Sequence, residues 1–311
     1  MNRDNCVWPT RLERTRMYIG RYRWIYLMAL IPFAYYIMFS YVPMYGIVIA
    51  FKDFKYNLGI IGSPWVGLKY FERMFSLPKF IDVLGNTLKI SFLRLIVEFP
   101  FPIILALMLN EVRNSKVKRV LQTAYTFPNF VSWVVISGIL VDFLETGGLV
   151  NRILHSMGME NQNVLKNSDQ FIAMLLISGV WKSAGWGAII YLSALSSVDP
   201  TLYEAATIDG ANRVQCLFHI TLPCITSTIV VMLILNMGNV MNAGFDQIFN
   251  LYNATVLDKA DIIDTYVYRL AFNDGNFSYS TAVGIFKSVV NCTLLLTVNK
   301  IAHKMGQRGI Y

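Results

Sequence analysis

The sequence has few of the residues that metal centres, disulfides and hydrolytic active sites require. It contains three histidines and four cysteines: His155, His219, His303, Cys6, Cys216, Cys224 and Cys292. None of them has metal-ligand or CxxC spacing, so we expect neither a metal site nor a disulfide framework. There is no HExxH or Gly-x-Ser-x-Gly motif, and no Gly-Lys pair. The chain therefore lacks a phosphate-binding loop and cannot hydrolyse ATP by that chemistry.

Charge is also scarce. Only 15% of the 311 residues are charged, whereas 55% are hydrophobic. This composition is too apolar for an ordinary soluble domain and is typical of a polytopic membrane protein. The net charge of +8 then indicates basic cytoplasmic loops rather than nucleic-acid binding.

Six apolar segments are long enough to span a bilayer, which predicts an all-α membrane protein. They run from about residues 24–51, 86–109, 120–144, 170–195, 220–237 and 279–301. The first is too long for a cleaved signal peptide. We expect Pro32 and Pro43 to bend it and Pro128 to bend the third. Residues 52–85 and 145–169 are predicted as outer loops.

The distribution of basic residues predicts cytoplasmic amino and carboxy termini. On that orientation the inner basic residues are Arg3, Arg11, Arg14, Arg16, Arg21, Arg23, Arg113, Lys116, Lys118, Arg119, Arg213, Lys300, Lys304 and Arg308. The outer loops carry fewer over a longer sequence: Lys52, Lys55, Lys69, Arg73, Lys79, Arg152, Lys166, Lys259 and Arg269.

Some polar residues fall inside predicted spans. Arg94 and Glu98 are four residues apart, so they share a helix face and can pair. Such charges either line a transport path or form a structural ion pair between helices. Lys287 and Asn291 lie in the sixth span, and both are candidates for the same path.

The fourth span contains Val180-Trp-Lys-Ser-Ala-Gly-Trp-Gly187. Trp181 and Trp186 lie about 140° apart on a helix, so one can face a cavity while the other packs. An indole with Lys182 nearby suits a sugar ring and its hydroxyl or carboxylate groups, but packing and membrane anchoring explain the tryptophans equally well. Gly185 and Gly187 permit close helix contact.

After the fifth span, residues 236–244 are rich in asparagine and glycine and are expected to unwind the helix. Residues 245–254 then combine aromatic, amide and carboxylate side chains, which could offer sugar stacking and hydroxyl hydrogen bonds, although a plain outer loop is the alternative. The candidate path residues from this part of the chain are Asn242, Phe245, Asp246, Gln247 and Asn250. Residues 260–272 have the apolar periodicity of an amphipathic helix.

Residues 199–223 form a short polar stretch between two apolar runs. Asp199 can cap a helix, Pro200 suits a first helical position, and Gly210 permits a tight turn. A second helical face follows at Val214, Leu217 and Phe218. The stretch is therefore predicted as two helices joined by a turn at a membrane face.

This stretch resembles the EAA motif of ABC importer permeases. The matching positions are Glu204, Ala205, Ala206, Gly210, Ile220, Leu222 and Pro223 at the family's spacing. In that family the loop holds the coupling helix, which docks on a cytoplasmic ATPase. The resemblance implies that Glu204, Ala205, Ala206, Asp209, Gly210, Leu222 and Pro223 couple the chain to its ATPase.

Other stretches resemble the carbohydrate-importer permeases, especially the LplB/YteP-like oligosaccharide permeases: 99–111, 189–195 and 261–268. The resemblance implies a type I importer of the MetI-like fold in a bacterial cell membrane. It divides the chain into a basic arm (1–23), a first helix with its outer loop (24–81), a permease core (82–302) with coupling helices at 199–219, and a tail (303–311).

The implied function is uptake of an oligosaccharide. The implied partners are a second permease, two ATPases that bind the ATP and magnesium, and an extracellular sugar-binding lipoprotein. The chain itself would have no cofactor, metal or enzymatic activity. The alternatives are the same architecture with another cargo, and, from another class, an ATP-independent transporter or a membrane-embedded enzyme.

Overall fold

The computed structural model describes Tyr18 and residues 21–306. The basic residues Arg3, Arg11, Arg14, Arg16 and Arg308, and with them most of the predicted arm and the end of the tail, lie outside the described residues. Within the described part the regular structure is helical, apart from an isolated bridge between Lys52 and Trp65. The all-α prediction is confirmed.

Thirteen helices are labelled here in chain order. They are α1 (Arg23–Phe51), α2 (Lys69–Ser76), α3 (Pro78–Val97), α4 (Pro100–Asn110), α5 (Ser115–Thr126), α6 (Trp133–Leu144), α7 (Leu149–Ser156), α8 (Ser168–Ser196), α9 (Pro200–Ile208), α10 (Arg213–Met237), α11 (Phe245–Leu251), α12 (Ile263–Phe272) and α13 (Phe277–Lys304). Short helical turns also occur at Gly59–Gly62, Phe127–Phe130, Val240–Asn242 and Leu257–Ala260.

Six helical segments of the described chain are long and apolar enough to cross a membrane: Arg23–Phe51, Pro78–Asn110, Trp133–Ser156, Ser168–Ser196, Arg213–Met237 and Phe277–Lys304. The predicted number of spans is therefore confirmed. The predicted bend in the first span is a change of helix type, because α1 passes through a π-helical turn at Ile37–Tyr41 before a tighter 3₁₀ stretch.

Three predicted spans have other bounds in the structure. The fifth span begins at Arg213 rather than near residue 220, because the capping box of Asn212 and Gln215 already starts the helix there. The second span begins at Pro78 rather than near residue 86, since proline at a first helical position has no need of an N–H partner and is preset for helix. The predicted third span is broken in its middle. A 3₁₀ turn, Phe127–Phe130, ends α5, and the Ser132 hydroxyl accepts a hydrogen bond from the Val135 N–H to start α6.

The segment after residue 244 forms a helix, so the alternative prediction of a plain outer loop is wrong there. Ala243 and Gly244 have positive φ angles of 46° and 80°, which reverse the chain, and α11 begins directly after them. The predicted unwinding at the end of α10 is confirmed by this turn. The predicted amphipathic helix over 260–272 is α12.

The long helix α8 lies at the centre of the packing, against α4, α5 and α10. Gly185 on α8 faces the main chain of α5 so closely that a Cβ there would lie 2.0 Å from the Tyr125 carbonyl oxygen. A Cβ on Gly187 would contact Pro102 of α4 at 3.0 Å. The predicted close helix contacts at both glycines are confirmed.

Candidate functional site

A cavity of about 370 Å³ opens among α3, α4, α8, α10 and the turn that follows α10. Its walls combine apolar side chains with hydroxyl, amide and ionic groups. The lining comprises Ser91, Arg94, Leu95, Glu98, Phe99, Pro102, Ser183, Trp186, Gly187, Tyr191, Met232, Asn236, Met237, Asn239, Val240, Asn242, Ala243 and Gly244. Because these helices are long and apolar enough to span the membrane, the cavity brings several polar groups into an otherwise apolar layer.

An ion pair forms one wall of this cavity. Arg94 Nη1 lies 3.1 Å from Glu98 Oε1, and both side chains are largely buried. The predicted pairing is confirmed. The same guanidinium donates through Nη2 to Gln247 Oε1, while Gln247 Nε2 donates to the Leu175 carbonyl and the Ser178 hydroxyl, each at 2.9 Å. The network thereby ties α3 to α8 and α11.

Glycines make this network possible. A Cβ on Gly244 would lie 2.5 Å from Arg94 Cζ, and the positive φ of that residue also favours glycine. A Cβ on Gly179 would lie 2.3 Å from Glu98 Oε1. Neither Arg94 Nε nor Glu98 Oε1 has a hydrogen-bond partner among the described residues. The pair therefore keeps unused hydrogen-bonding capacity beside the cavity.

The two tryptophans of α8 have different surroundings. Trp186 lines the cavity, and its ring makes an edge-to-face contact with Phe130 at a centroid distance of 5.9 Å. Trp181 does not line it and is 55% exposed. As predicted, one of the two indoles lines the cavity, but the other, Trp181, is exposed rather than packed within the chain.

Lys182 contacts the broken segment between α5 and α6. Its ammonium donates to the carbonyl oxygens of Asn129 and Val131 at 2.9 and 2.6 Å, with that of Pro128 at 3.4 Å. It also lies 5.6 Å from the ring centroid of Trp133. The Pro128 carbonyl also accepts the Val131 N–H at 3.2 Å, whereas the lysine is the donor to the carbonyls of Asn129 and Val131 at the break.

Other predicted path residues lie away from the cavity. Lys287 on α13 pairs with Asp264 on α12 at 2.6 Å, and Asn291 accepts a hydrogen bond from the Met241 N–H at 3.1 Å. Three further residues lie on α11. Phe245 packs against Phe249 and Tyr268, while Asp246 and Asn250 are exposed and joined by a hydrogen bond of 2.6 Å from the Asn250 amide to the Asp246 carbonyl.

Several lining residues were not singled out as path residues from sequence. Ser91, Ser183 and Tyr191 lie on helices that the sequence predicts to span the membrane. Which way each side chain faces depends on how distant segments of the chain pack together. The sequence predicts for Asn236 and Asn239 only that they help to end the helix. Their position as two amides at the end of an apolar helix is the sequence feature that could identify them as cavity-lining residues.

The predicted coupling stretch folds as two helices and a turn. The Asp199 carboxylate accepts the Thr201 N–H at 2.9 Å, and this hydrogen bond lowers the pKa of Asp199. Gly210 has a φ of 79°, which allows the Ala211 N–H to return to the Ala206 carbonyl at 2.9 Å. An amide-based capping box between Asn212 and Gln215 then starts α10.

This stretch presents an exposed surface. Glu204, Ala205, Asp209 and Gly210 are all exposed, and Ile208 is 86% exposed at the end of α9. Ala206 lines a shallow cavity with Asp209, Gly210 and His219, among others. Further along, Leu222 packs in a buried cluster of α8 and α10, whereas Pro223 is exposed on α10. The motif thus combines an exposed turn with a half-buried leucine that packs against the helices.

No group of His, Cys, Asp and Glu side chains within the described residues could hold a metal ion.

Residues 98–301 match the family of binding-protein-dependent transport system inner membrane components. The chain belongs to this family. It is 47% identical over 290 residues to the polygalacturonan/rhamnogalacturonan transport system permease protein YteP of Bacillus subtilis (strain 168), covering 93% of this chain and 90% of YteP. It is 45% identical over 294 residues to protein LplB of the same organism, covering 94% and 92% of the two chains.

Solved structures agree with this assignment. A chain in the crystal structure of a bacterial ABC transporter involved in the import of the acidic polysaccharide alginate matches with a TM-score of 0.88 and 37% identity, covering 95% of this chain and all (100%) of that one. A second alginate transporter structure, in complex with an alginate pentasaccharide-bound periplasmic protein, matches with a TM-score of 0.88 and 36% identity over 96% of this chain and 100% of the other. The resemblance to ABC permeases is confirmed, and the protein is a multi-pass permease of the cell membrane.

Proposed function

We propose that this chain is a membrane subunit of an ATP-driven importer that takes up an oligosaccharide. A second permease would complete the translocation path, two ATPase subunits would supply the energy, and an extracellular lipoprotein would deliver the sugar. The relatives named for polygalacturonan, rhamnogalacturonan and alginate transport support a carbohydrate cargo.

The cavity carries the proposal. It is enclosed by membrane-spanning helices and offers the indole of Trp186 beside the amides of Asn236, Asn239 and Asn242. Sugar rings bind through apolar faces and peripheral hydroxyl groups, so an aromatic surface beside several amides suits them. A small cargo such as phosphate would make little use of an aromatic wall beside several amides.

The coupling stretch supports the energy source. Its exposed turn offers the Glu204 carboxylate, small side chains at Ala205 and Ala206, and the apolar Ile208 for a partner to contact. The charge asymmetry of the sequence supports a cytoplasmic location for this turn. The ATPases would bind Glu204, Ala205, Ala206, Asp209 and Gly210, while Leu222 and Pro223 would connect the turn to α10.

The test is purification of the tagged chain from its native membrane, followed by reconstitution of the isolated complex in liposomes. We expect a second permease and an ATPase to co-purify, and uptake of a labelled oligosaccharide to require ATP and a binding protein. Glu204→Lys and Gly210→Pro should leave membrane insertion intact but abolish ATP-driven uptake, since proline cannot adopt the positive φ of residue 210.

Gly158→Pro provides the matched control, because Gly158 also ends a helix with a positive φ, 77°, but lies outside the coupling stretch. It should retain uptake. Normal uptake in both coupling variants would refute the assigned coupling surface. A chain that transports without any ATPase would favour the ATP-independent transporter instead.

A further inference from the structure

Three basic side chains are half-buried among the membrane-spanning helices: Arg94, Lys182 and Lys287. Arg94 is paired with Glu98 at 3.1 Å, and Lys287 is paired with Asp264 at 2.6 Å. Lys182 is different, because its hydrogen bonds go to main-chain carbonyl oxygens and none of the ion pairs in the described chain includes it. Its positive charge therefore has no neutralising carboxylate.

Lys182 does not itself line the cavity, but it lies one helical turn from Trp186, which does. Lys182 and Trp186 are four residues apart on α8, which puts them on the same helix face about 6 Å apart along the axis. The carbonyls that hold the ammonium flank Phe130 in sequence, and the ring of Phe130 touches that of Trp186. A sugar stacked on Trp186 would thus be within one helical turn of Lys182.

The cavity itself contributes no net charge. Among its described lining residues, Arg94 and Glu98 are the ionic groups, and they pair with each other. Carbonyl dipoles stabilise the Lys182 ammonium but cannot cancel its charge, and the surrounding helices have a low dielectric constant. The positive field of Lys182 therefore extends into the cavity.

We propose that Lys182 determines cargo preference by favouring sugars that carry a carboxylate, such as uronic acid residues, over neutral sugars of the same length. This inference rests on the proposed function of oligosaccharide import. The lysine has a second effect, since it also holds the break between α5 and α6 that positions Phe130. A test must therefore separate charge from positioning.

Three substitutions make that separation. Lys182→Arg keeps both the charge and the N–H donors. Lys182→Gln keeps N–H donors for the carbonyls but removes the charge. Ser183→Asp leaves Lys182 in place and adds an opposing carboxylate at an exposed, cavity-lining neighbour. Lys300→Gln is the matched control, since it removes one charge from an exposed position near the end of α13.

The experiment measures ATP-driven uptake by the complete importer, reconstituted in liposomes with its binding protein. The two cargoes are a uronic acid oligosaccharide and its carboxyl-reduced counterpart of equal length, and the readout is the ratio of their kcat/KM values. The same binding protein serves every variant, so a change in the ratio between variants arises in the permease.

We expect Lys182→Arg and Lys300→Gln to keep the wild-type ratio within about twofold, and Lys182→Gln and Ser183→Asp to lower it about tenfold, mainly by slowing uptake of the acidic cargo. An unchanged ratio in Lys182→Gln and Ser183→Asp would overturn the proposal. Lys182→Gln could instead slow the uptake of both cargoes equally while Ser183→Asp leaves the ratio unchanged. That result would leave Lys182 only a positioning role and would also overturn the proposal.

Should Lys182→Gln fail to assemble, an unchanged ratio in Ser183→Asp would still overturn the proposal. Failure of the wild-type complex to import either oligosaccharide would count against the proposed function itself, which separates the two claims.

Discussion

At the scale of single residues, the two tryptophans of α8 provide an internal comparison. They are similarly exposed, at 50% for Trp186 and 55% for Trp181, but only Trp186 is among the residues that line the cavity. We expect Trp186→Ala to raise the KM for sugar uptake about fivefold to tenfold, because an aromatic contact worth about 1 kcal/mol is lost. Uptake kinetics in liposomes would measure the effect.

Trp181→Ala serves as the control and should change the KM by less than about twofold, since Trp181 does not line the cavity and contributes no contact to a cargo there. Equal effects of the two substitutions on KM would contradict the assignment of Trp186 to the path. A fall in the amount of assembled complex would have to be excluded first, by quantifying both variants after purification.

The same residues show what sequence reasoning could predict. The Arg94–Glu98 pair follows from i,i+4 spacing, and the structure has it. Lys182 was associated with a sugar from its neighbours in sequence, yet its contacts are carbonyls 51 to 54 residues earlier. No local pattern encodes such a contact, because it depends on how α8 packs against the break before α6.

At the scale of helices, close packing of α8 against α5 depends on Gly185. We expect Gly185→Ala to destabilise the folded protein, because the added methyl group would lie 2.0 Å from the Tyr125 carbonyl oxygen and main chain must move. Overpacking of this kind costs about 1–3 kcal/mol. The midpoint of thermal unfolding in detergent, followed by size-exclusion chromatography, would report it.

Gly138→Ala is the control for this substitution. Gly138 lies inside α6, and a Cβ there meets nothing within 4 Å. Alanine also has a higher helix propensity than glycine by about 1 kcal/mol. Gly138→Ala should therefore match or exceed the wild-type midpoint of unfolding. A midpoint for Gly138→Ala below that of Gly185→Ala would contradict the role assigned to close packing at Gly185.

Helix number was predictable here and helix boundaries were less so. The apolar runs are long enough to identify six spans, and the helix and turn proposed for coupling are marked by Asp199, Pro200 and Gly210. The break between Thr126 and Trp133 was predicted only as a bend, because Pro128 and Ser132 act together to end one helix and start the next. Ser132 can be identified as the helix cap only once its hydrogen bond from the Val135 N–H is known.

At the scale of the whole molecule, the six spans expose much of their apolar surface, as expected of a protein surrounded by lipid or partner subunits. Nothing in α1 between Arg23 and Tyr36 is buried within the chain itself. Charge is what distinguishes the two ends of the spans, since the basic residues concentrate in the arm, the segment from Arg113 to Arg119 and the end of α13.

This asymmetry leads to a prediction for membrane orientation. In a variant without its natural cysteines, single cysteines would replace Met159, between α7 and α8, and Met305, just beyond α13. The two methionines are exposed, at 50% and 72%, so both thiols should react readily when reached. With a cytoplasmic carboxy terminus, a membrane-impermeant maleimide added to intact cells should label Met159→Cys and spare Met305→Cys. Permeabilised cells are the control, because there both positions must react. Labelling of Met305→Cys alone in intact cells would reverse the orientation and move the Gly210 turn away from any cytoplasmic ATPase.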